Sequence, residues 1–419
     1  MNMNGWDTCF VASIDVLNQS LNRNTSNLLQ SFSFSQDTFS ASGNFGTWSI
    51  QPGGSGNLLM LQILITSGKM VMTTGATPID ISGMQAVLLV NLKMVPSGTN
   101  PSAQTLVFDF SKVGTTSDGP GVVTPHDILN SGSLTIVQKA ALGNAIANCL
   151  VQNASTISFV FATINPTQAS VSWLQPAQSK YAYLAPAGVP SSLAILSATS
   201  GRDISNLPLL VDPAILQGAG NAGLAVSSSL FLQNVMAPAL LQSLKASGTL
   251  TVNSAGVLVN SGSLSLPKID KASESYYPRI DSFSVAISDT QMNVSMNGSC
   301  DMHMGVHMTF NASSSLGVSL TSDSKSLQIS TIGTPTFHKD VDIPWYDHLF
   351  DIFGGIAEII LQVCVAAISS ELGSGISDVT SAQAMAQDAP KIVTWANTGG
   401  FQTESASLAT SLCIRGQLS

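Results

Sequence analysis

The sharpest pattern in the chain is a strict alternation over residues 293–311. Even positions Val294, Met296, Gly298, Cys300, Met302, Met304, Val306, Met308 and Phe310 are apolar or small, while Asn293, Ser295, Asn297, Ser299, Asp301, His303, His307 and Thr309 are polar. A period of two places the first set on one face of a half-buried strand. About seventeen such residues would approach roughly 55 Å at ~3.3 Å per residue, against the usual five or six residues. The pattern therefore predicts a large curled antiparallel sheet whose apolar side wraps something, with Phe283, Val285 and Ile287 starting a partner strand. The object to be wrapped is predicted at 345–372, the most apolar helix-like stretch, whose polar residues Asp347, Asp351, Glu358, Gln362 and Ser369 fall in one stripe. Its length would span a bilayer, but Asp351, Glu358 and Gln362 make that expensive. A helix covered by the sheet or by a partner is the better expectation.

Elsewhere the periods are shorter. Phe10, Ile14, Leu17 and Leu21 recur at helical spacing and predict an amphipathic opening helix from Trp6. After the Gly-rich turn 51–56, strands are expected at 58–66, 84–95 and 105–111, where Leu106, Phe108 and Phe110 alternate with polar neighbours. A helix follows over 134–151, with Val137, Ala141, Ile146 and Leu150 on one face, then a strand at 157–164 and an extended, Pro-punctuated stretch at 166–213. Residues 227–246 predict a helix capped by Ser227 or a neighbouring Ser and bent or split at Pro238. Two lobes are expected, 1–250 and 251–419, the second holding the long strand 293–311 and the apolar helix 347–372. A six-residue echo, 129–134 against 259–264, is too low in complexity to establish a repeat.

Charge changes the picture. Fifteen Lys+Arg against 24 Asp+Glu give a net charge of −9, and charged residues are only 9% of the 419, against roughly one quarter in an ordinary soluble protein. A duplex-binding surface, which must neutralise several phosphates, is excluded. With 44% apolar residues, the chain is not compositionally disordered; its surface must be built from Ser, Thr and Asn. The five cysteines form no CxxC, which fits reduced thiols at synthesis. Residues 1–10 lack the basic and apolar regions of a secretory signal and carry Asp7 early.

Several motifs suggest chemistry and then lose it. His303 and His307 resemble an HxxxH zinc pair, but on a strand four residues separate the rings by roughly 13 Å, so surface histidines are expected and no metal. Gly218-Ala219-Gly220-Asn221-Ala222-Gly223 matches GxGxxG, yet no Asp or Glu lies between Asp212 and Asp270 to hold a ribose. His126 reads as part of a turn before a helix, and His348 beside Asp347 as an interfacial residue on the apolar helix. Arg202-Asp203 reads as a loop stabilised by a local ion pair or turn. No GxSxG elbow occurs, and the acidic residues are thinly scattered; no enzyme activity and no cofactor are expected.

Five blocks carry a resemblance: Asn4-Gly5-Trp6-Asp7, Gly201-Arg202-Asp203-Ile204-Ser205, Leu230-Phe231-Leu232-Gln233-Asn234 before Pro238, Tyr276-Tyr277-Pro278-Arg279-Ile280, and Ile343-Pro344-Trp345. In this order they resemble the clostridial P-forty-seven/OrfX family of neurotoxin gene clusters, over nearly the whole chain. The resemblance implies an α+β, TULIP-like (tubular lipid-binding) fold similar to bactericidal/permeability-increasing protein: elongated, with long helices packed against strongly curved antiparallel β-sheets and often an apolar groove. It implies no catalytic residues, and a role accessory to a bacterial toxin. The Ala/Ser/Gly-rich, Lys-poor composition departs from the clostridial pattern and argues against phosphoinositide recognition.

The resulting expectation is a non-enzymatic protein that shelters a lipid or other apolar ligand, made in the bacterial cytoplasm and released without a signal peptide. Contact candidates are Met296, Met302, Met304, Met308, Ile356, Ile360 and Val363, the methionines because thioethers adapt to variable apolar shapes; ordinary core packing explains them equally well. Partners would be the ligand, a toxin or other accessory proteins of the cluster, and peripheral membrane contact, with no nucleic acid. The alternative is a scaffold or chaperone-like component whose apolar helix a partner protein covers.

Overall fold

The computed structural model describes residues 1–342 apart from 74, 133, 219, 272–273, 303–305 and 324–325, and then 356, 358–360, 362–364, 385, 387–396 and 398–419. It is β-rich, with three large antiparallel sheets. The first has six strands in the order Gln178–Leu184, Ser192–Ala198, Thr8–Ser13, Ala222–Val226, Leu412–Leu418, Phe401–Leu408. Both of its faces are covered: Phe10 and Ala12 join the main core, while Cys9 and Val11 join a second cluster with Trp6, Ile204 and Ile215. A strand buried on both sides reads as a continuous apolar run. That corrects the opening helix, which starts only at Ile14 and ends at Arg23. Residues 401–418 pair into the sheet that begins at Thr8, so it draws on both sides of residue 250.

The second sheet runs Ser31–Gln36, Phe39–Ser55, Leu58–Val71, Gln85–Pro96, Gln104–Asp109, Val160–Ile164, Val393–Trp395. Leu59, Leu61, Ile63 and Ile65 point into the core from one long strand. Against this sheet lies the helix Ile136–Gln152, started by a reciprocal cap in which Gln138 N donates to Thr135 Oγ1 (3.3 Å) and Thr135 N to Gln138 Oε1 (2.8 Å). Its inner face is Leu142, Ala145, Ile146, Cys149 and Leu150, whereas Ile136 and Val137 are exposed. Val137 thus leaves the face expected for it. His126 lies inside the strand Val122–Leu129, not in a turn before a helix: Asp127 pairs with Val87 and Pro125 with Leu88, so His126 is the extra residue of a bulge.

The third sheet contains Leu250–Val252, Leu258–Asn260, Arg279–Ser288, Gln291–Asp301, His307–Leu320 and Leu327–Asp342. Here the long alternating strand is corrected. Gln291–Asp301 and His307–Leu320 are two strands of one hairpin, closed where Met302 N donates to Val306 O (2.8 Å). The alternation ran through unbroken because paired residues share parity: Met296 faces Ala312, and Cys300 faces Met308. A reversal that keeps parity sends even residues to the same face of both strands.

Helix 228–243 is uninterrupted, with a wide π turn at Leu232–Met236 between Ser228–Phe231 and Ala237–Ser243. Pro238 was expected to bend or split it. Its ring would crowd the carbonyl of Asn234, and the widened turn accommodates it there. Ser227 is the cap: Leu230 N donates to its Oγ (3.4 Å). The 129–134 echo has no structural counterpart, since Asn130 takes a left-handed turn (φ 54°) while Asn260 sits in a strand.

Candidate apolar ligand site

Met296 and Met308 are fully buried and Met302 is 7% exposed, all within the main core beside Cys300 and Phe310. Ile356, Ile360 and Cys364, spaced by four, are helical and buried in the same core, while Glu358 and Gln362 are exposed. This is one apolar helix face turned inward. Val363 is half-buried, and Met304 lies outside the described residues. Met296, Met302, Met308, Ile356 and Ile360 are therefore all residues of the main core, which runs through all three large sheets. Most of 347–372, with Asp347, His348, Asp351 and Ser369, lies outside the described residues. No described helix is long and apolar enough to cross a membrane.

The polar motifs resolve into structural roles. His307 Nδ1 lies 2.8 Å from Asp301 Oδ1 across the hairpin mouth, in solvent, and His303 is outside the described residues. Among described residues no group of three or more His, Cys, Asp or Glu could hold a metal. The GxGxxG glycines enter the strand Ala222–Val226 directly, with no helix N-terminus behind the turn. A Cβ on Gly223 would come 2.7 Å from Ile215 O, so this glycine serves close packing.

Arg202 does not pair with Asp203. Its Nη1 and Nη2 grip both carboxylate oxygens of Asp7, at 2.8 and 2.9 Å, and Nη2 also donates to Gly5 O. Thr199 adds its backbone N–H (2.8 Å) and hydroxyl (3.1 Å) to the same Asp7 Oδ2. Asp203 instead accepts from Ser205 N, and Trp6 Nε1 donates to Pro208 O (2.8 Å). The blocks Asn4–Asp7 and Gly201–Ser205 are thus two halves of one latch that closes residues 199–216 over the outer face of the first sheet.

Several basic side chains are similarly committed: Lys93 to Asp109, Lys268 to Asp270, Arg279 to Asp281 and Lys391 to Asp388. Lys180 donates to the carbonyls of Ile204 and Ser205, and Arg415 to Ser407 Oγ and Ala214 O. Burial raises the thiols of Cys9, Cys149, Cys300, Cys364 and Cys413, Cys300 to about 11 and Cys364 to about 12. All five are free, buried and protonated at neutral pH, the wrong state for a nucleophile.

An opening of about 440 Å³ lies where Val393–Trp395, the last strand of the second sheet, meets Phe401 and Leu418 of the first. Trp395 lines it. Sequence reasoning missed this residue because a three-residue strand beside Pro390 offers no period to read.

These features define a β-rich, antiparallel protein with a large apolar interior. The chain belongs to the OrfX-like family, described as protein OrfX2/OrfX3/P47, whose model matches residues 3–370. It is similar to Protein P47 of Clostridium botulinum (strain Kyoto / Type A2), with 28% identity over 309 residues, 71% of this chain and 72% of the relative. The solved structure of P47 from C. botulinum A2 covers 100% of this chain and 98% of its own at TM-score 0.79 and 24% identity. The crystal structure of P47 of C. botulinum E1 covers 99% of each at TM-score 0.77 and 21% identity. Both likenesses establish the fold.

Proposed function

We propose that this protein is a non-enzymatic accessory component of a toxin gene cluster of the OrfX type, sheltering a lipid or another apolar ligand between sheet and helix in a TULIP-like manner. The observation that carries the reading is the inward face Ile356, Ile360 and Cys364, buried in the same core as Met296, Met302 and Met308. An interior assembled from thioethers and an inserted helix reshapes easily around an apolar guest. The committed basic side chains favour neutral or mainly hydrophobic contact over phosphate recognition. Synthesis in the bacterial cytoplasm and association with a toxin or with other proteins of the cluster belong to the same proposal.

The test is direct. Protein purified without detergent is extracted with organic solvent, and extract and intact protein are both weighed by mass spectrometry. A stoichiometric co-purifying lipid is expected. A bare chain that takes up no fluorescent lipid would overturn the proposal.

A further inference from the structure

We infer that the connection from the strand Val122–Leu129 to the helix Ile136–Gln152 is a membrane-contact site, which inserts Ile136 and Val137 into the surface of an uncharged phospholipid bilayer. This goes beyond the proposal that the protein shelters an apolar ligand and does not rest on it. Among the described residues seven large apolar side chains are exposed, and three of them, Leu129 (39%), Ile136 (86%) and Val137 (70%), fall within residues 129–137. The other four, Leu210, Tyr277, Ile332 and Ile359, lie far apart in the chain, and single exposed apolar residues are ordinary on any surface. Ile136 is the most exposed of the seven. The backbone that displays it is held firmly. Leu134 is buried in the main core, its N–H donates to Ser131 O (2.8 Å), and Ser131 Oγ donates to Ile128 O (2.6 Å). The reciprocal cap of Thr135 and Gln138 then fixes the first helical turn.

Charge and area select a lipid surface as the partner. Residues 128–138 hold no charged side chain, so entering a headgroup layer strips water from no ion in this stretch, which would be costly. Asp127 and Lys139, one of each sign, bound the stretch and leave it electrically balanced. Its exposed neighbours Asn130, Gly132 and Thr135 are uncharged as well. A stable complex with a second copy or another protein buries about 1,200 Å² or more, beyond what three side chains on one connection can supply. A bilayer needs no such area, because each CH₂ that leaves water contributes by itself. The net charge of −9 opposes approach to an anionic leaflet, which favours a zwitterionic surface. The contact is weak and reversible, since even a myristoyl chain alone holds a protein only marginally.

The experiment mixes the full chain with sucrose-loaded vesicles of dioleoylphosphatidylcholine, alone or with dioleoylphosphatidylserine, and measures the fraction that sediments with them. The parent should partition onto the phosphatidylcholine vesicles, and less onto those containing phosphatidylserine. Ile136→Ser and Val137→Ser should each weaken partitioning about 10-fold, as expected for withdrawing one large apolar side chain, with unchanged circular dichroism spectra. Leu210→Ser, at another exposed leucine (61%), should leave it unchanged. The five native thiols are buried, so Ile136→Cys can be labelled alone with a nitrobenzoxadiazole dye, whose emission should brighten and shift to the blue on vesicles. The same label at Leu210→Cys should not respond. A parent that sediments with neither vesicle, or variants that partition as it does, would overturn the inference. So would tighter binding to phosphatidylserine that salt abolishes, which is electrostatic adsorption, or a parent dimer that Ile136→Ser converts to monomer, which assigns the patch to self-association. A chain that carries a stoichiometric extracted lipid yet ignores vesicles fails here and leaves the sheltering proposal standing; a bare chain that binds vesicles through Ile136 does the reverse.

Discussion

Removing the Arg202 guanidinium tests whether the two family-bearing blocks form a latch. In the native state the Asp7 carboxylate is 12% exposed and accepts four hydrogen bonds, two from Arg202 and two from Thr199. Arg202→Ala leaves Asp7 with the Thr199 pair and no countercharge. Breaking a fully buried pair costs about 3–5 kcal/mol. The Arg202 side chain is 38% exposed, and water entering its place repays part of this, so about 2–3 kcal/mol is expected. Arg202→Lys keeps the charge but loses the two-pronged fork and the bond to Gly5 O, and should cost about 1 kcal/mol. A cycle of Asp7→Ala, Arg202→Ala and the double variant, followed by urea denaturation, isolates the coupling, expected at about 2 kcal/mol. Trp6 and Ile204 pack beneath this latch, so Arg202→Ala should also hasten proteolysis within 199–208. A single-variant cost under about 0.5 kcal/mol, or zero coupling, would mean an ordinary surface pair and refute the latch.

Gly298→Ala should destabilise by about 1–3 kcal/mol or more, because the added carbon would lie 2.2 Å from Phe310 Cζ and 2.3 Å from Arg279 O; an unchanged thermal midpoint would contradict this register. At alkaline pH, burial raises Tyr181 to about 12 and Cys300 to about 11. The unfolded chain then releases these protons first, near 10 and 9, so stability is full below about pH 9 and drains away toward pH 12. A urea midpoint that stays flat to pH 11 would rule that out. The five buried thiols should resist a maleimide in the native protein and react fully in urea, and fast native labelling of Cys9 or Cys364 would show their packing to be wrong. Ile136→Ser and Val137→Ser, at 86% and 70% exposed, should change stability by under about 0.5 kcal/mol, checked by thermal melts.

Much of the fold was legible where one face of an element meets water. The strand beginning at Gln104 announced itself by alternation, those beginning at Leu58 and Gln85 by their apolar runs, and the helix Ile136–Gln152 by its stretch free of Pro. Where both faces are covered the pattern vanishes. Thr8–Ser13 and Ser192–Ala198 sit inside the first sheet with core on either side, so the one read as helix and the other as an extended connection. The latch was invisible for a different reason: Asp7 and Arg202 are 195 positions apart, and adjacency in sequence favoured Asp203 as the partner. The exposure of Ile136 and Val137 is a property of packing alone, and no spacing encodes it.

The low charge and the misread hairpin have a common root. Two adjoining strands with their even residues inside need a complete set of outward odd residues, and here these are Asn293, Ser295, Asn297, Ser299, Thr309, Asn311, Ser313 and Ser315, with few ions among them. Short uncharged groups can bond across the strands, as Ser315 Oγ does to Asn293 Oδ1 (3.1 Å) and Asn297 Nδ2 to Ser282 Oγ (2.9 Å). The pairing that uses Ser and Asn in place of Lys and Glu therefore keeps the sheet wet on one side at little charge. It also explains why an alternation can persist through a chain reversal without a charged residue to mark the turn: Gly305 is the one break in it between Asp301 and His307. This face of the hairpin, at least, offers an acidic headgroup few cations to hold.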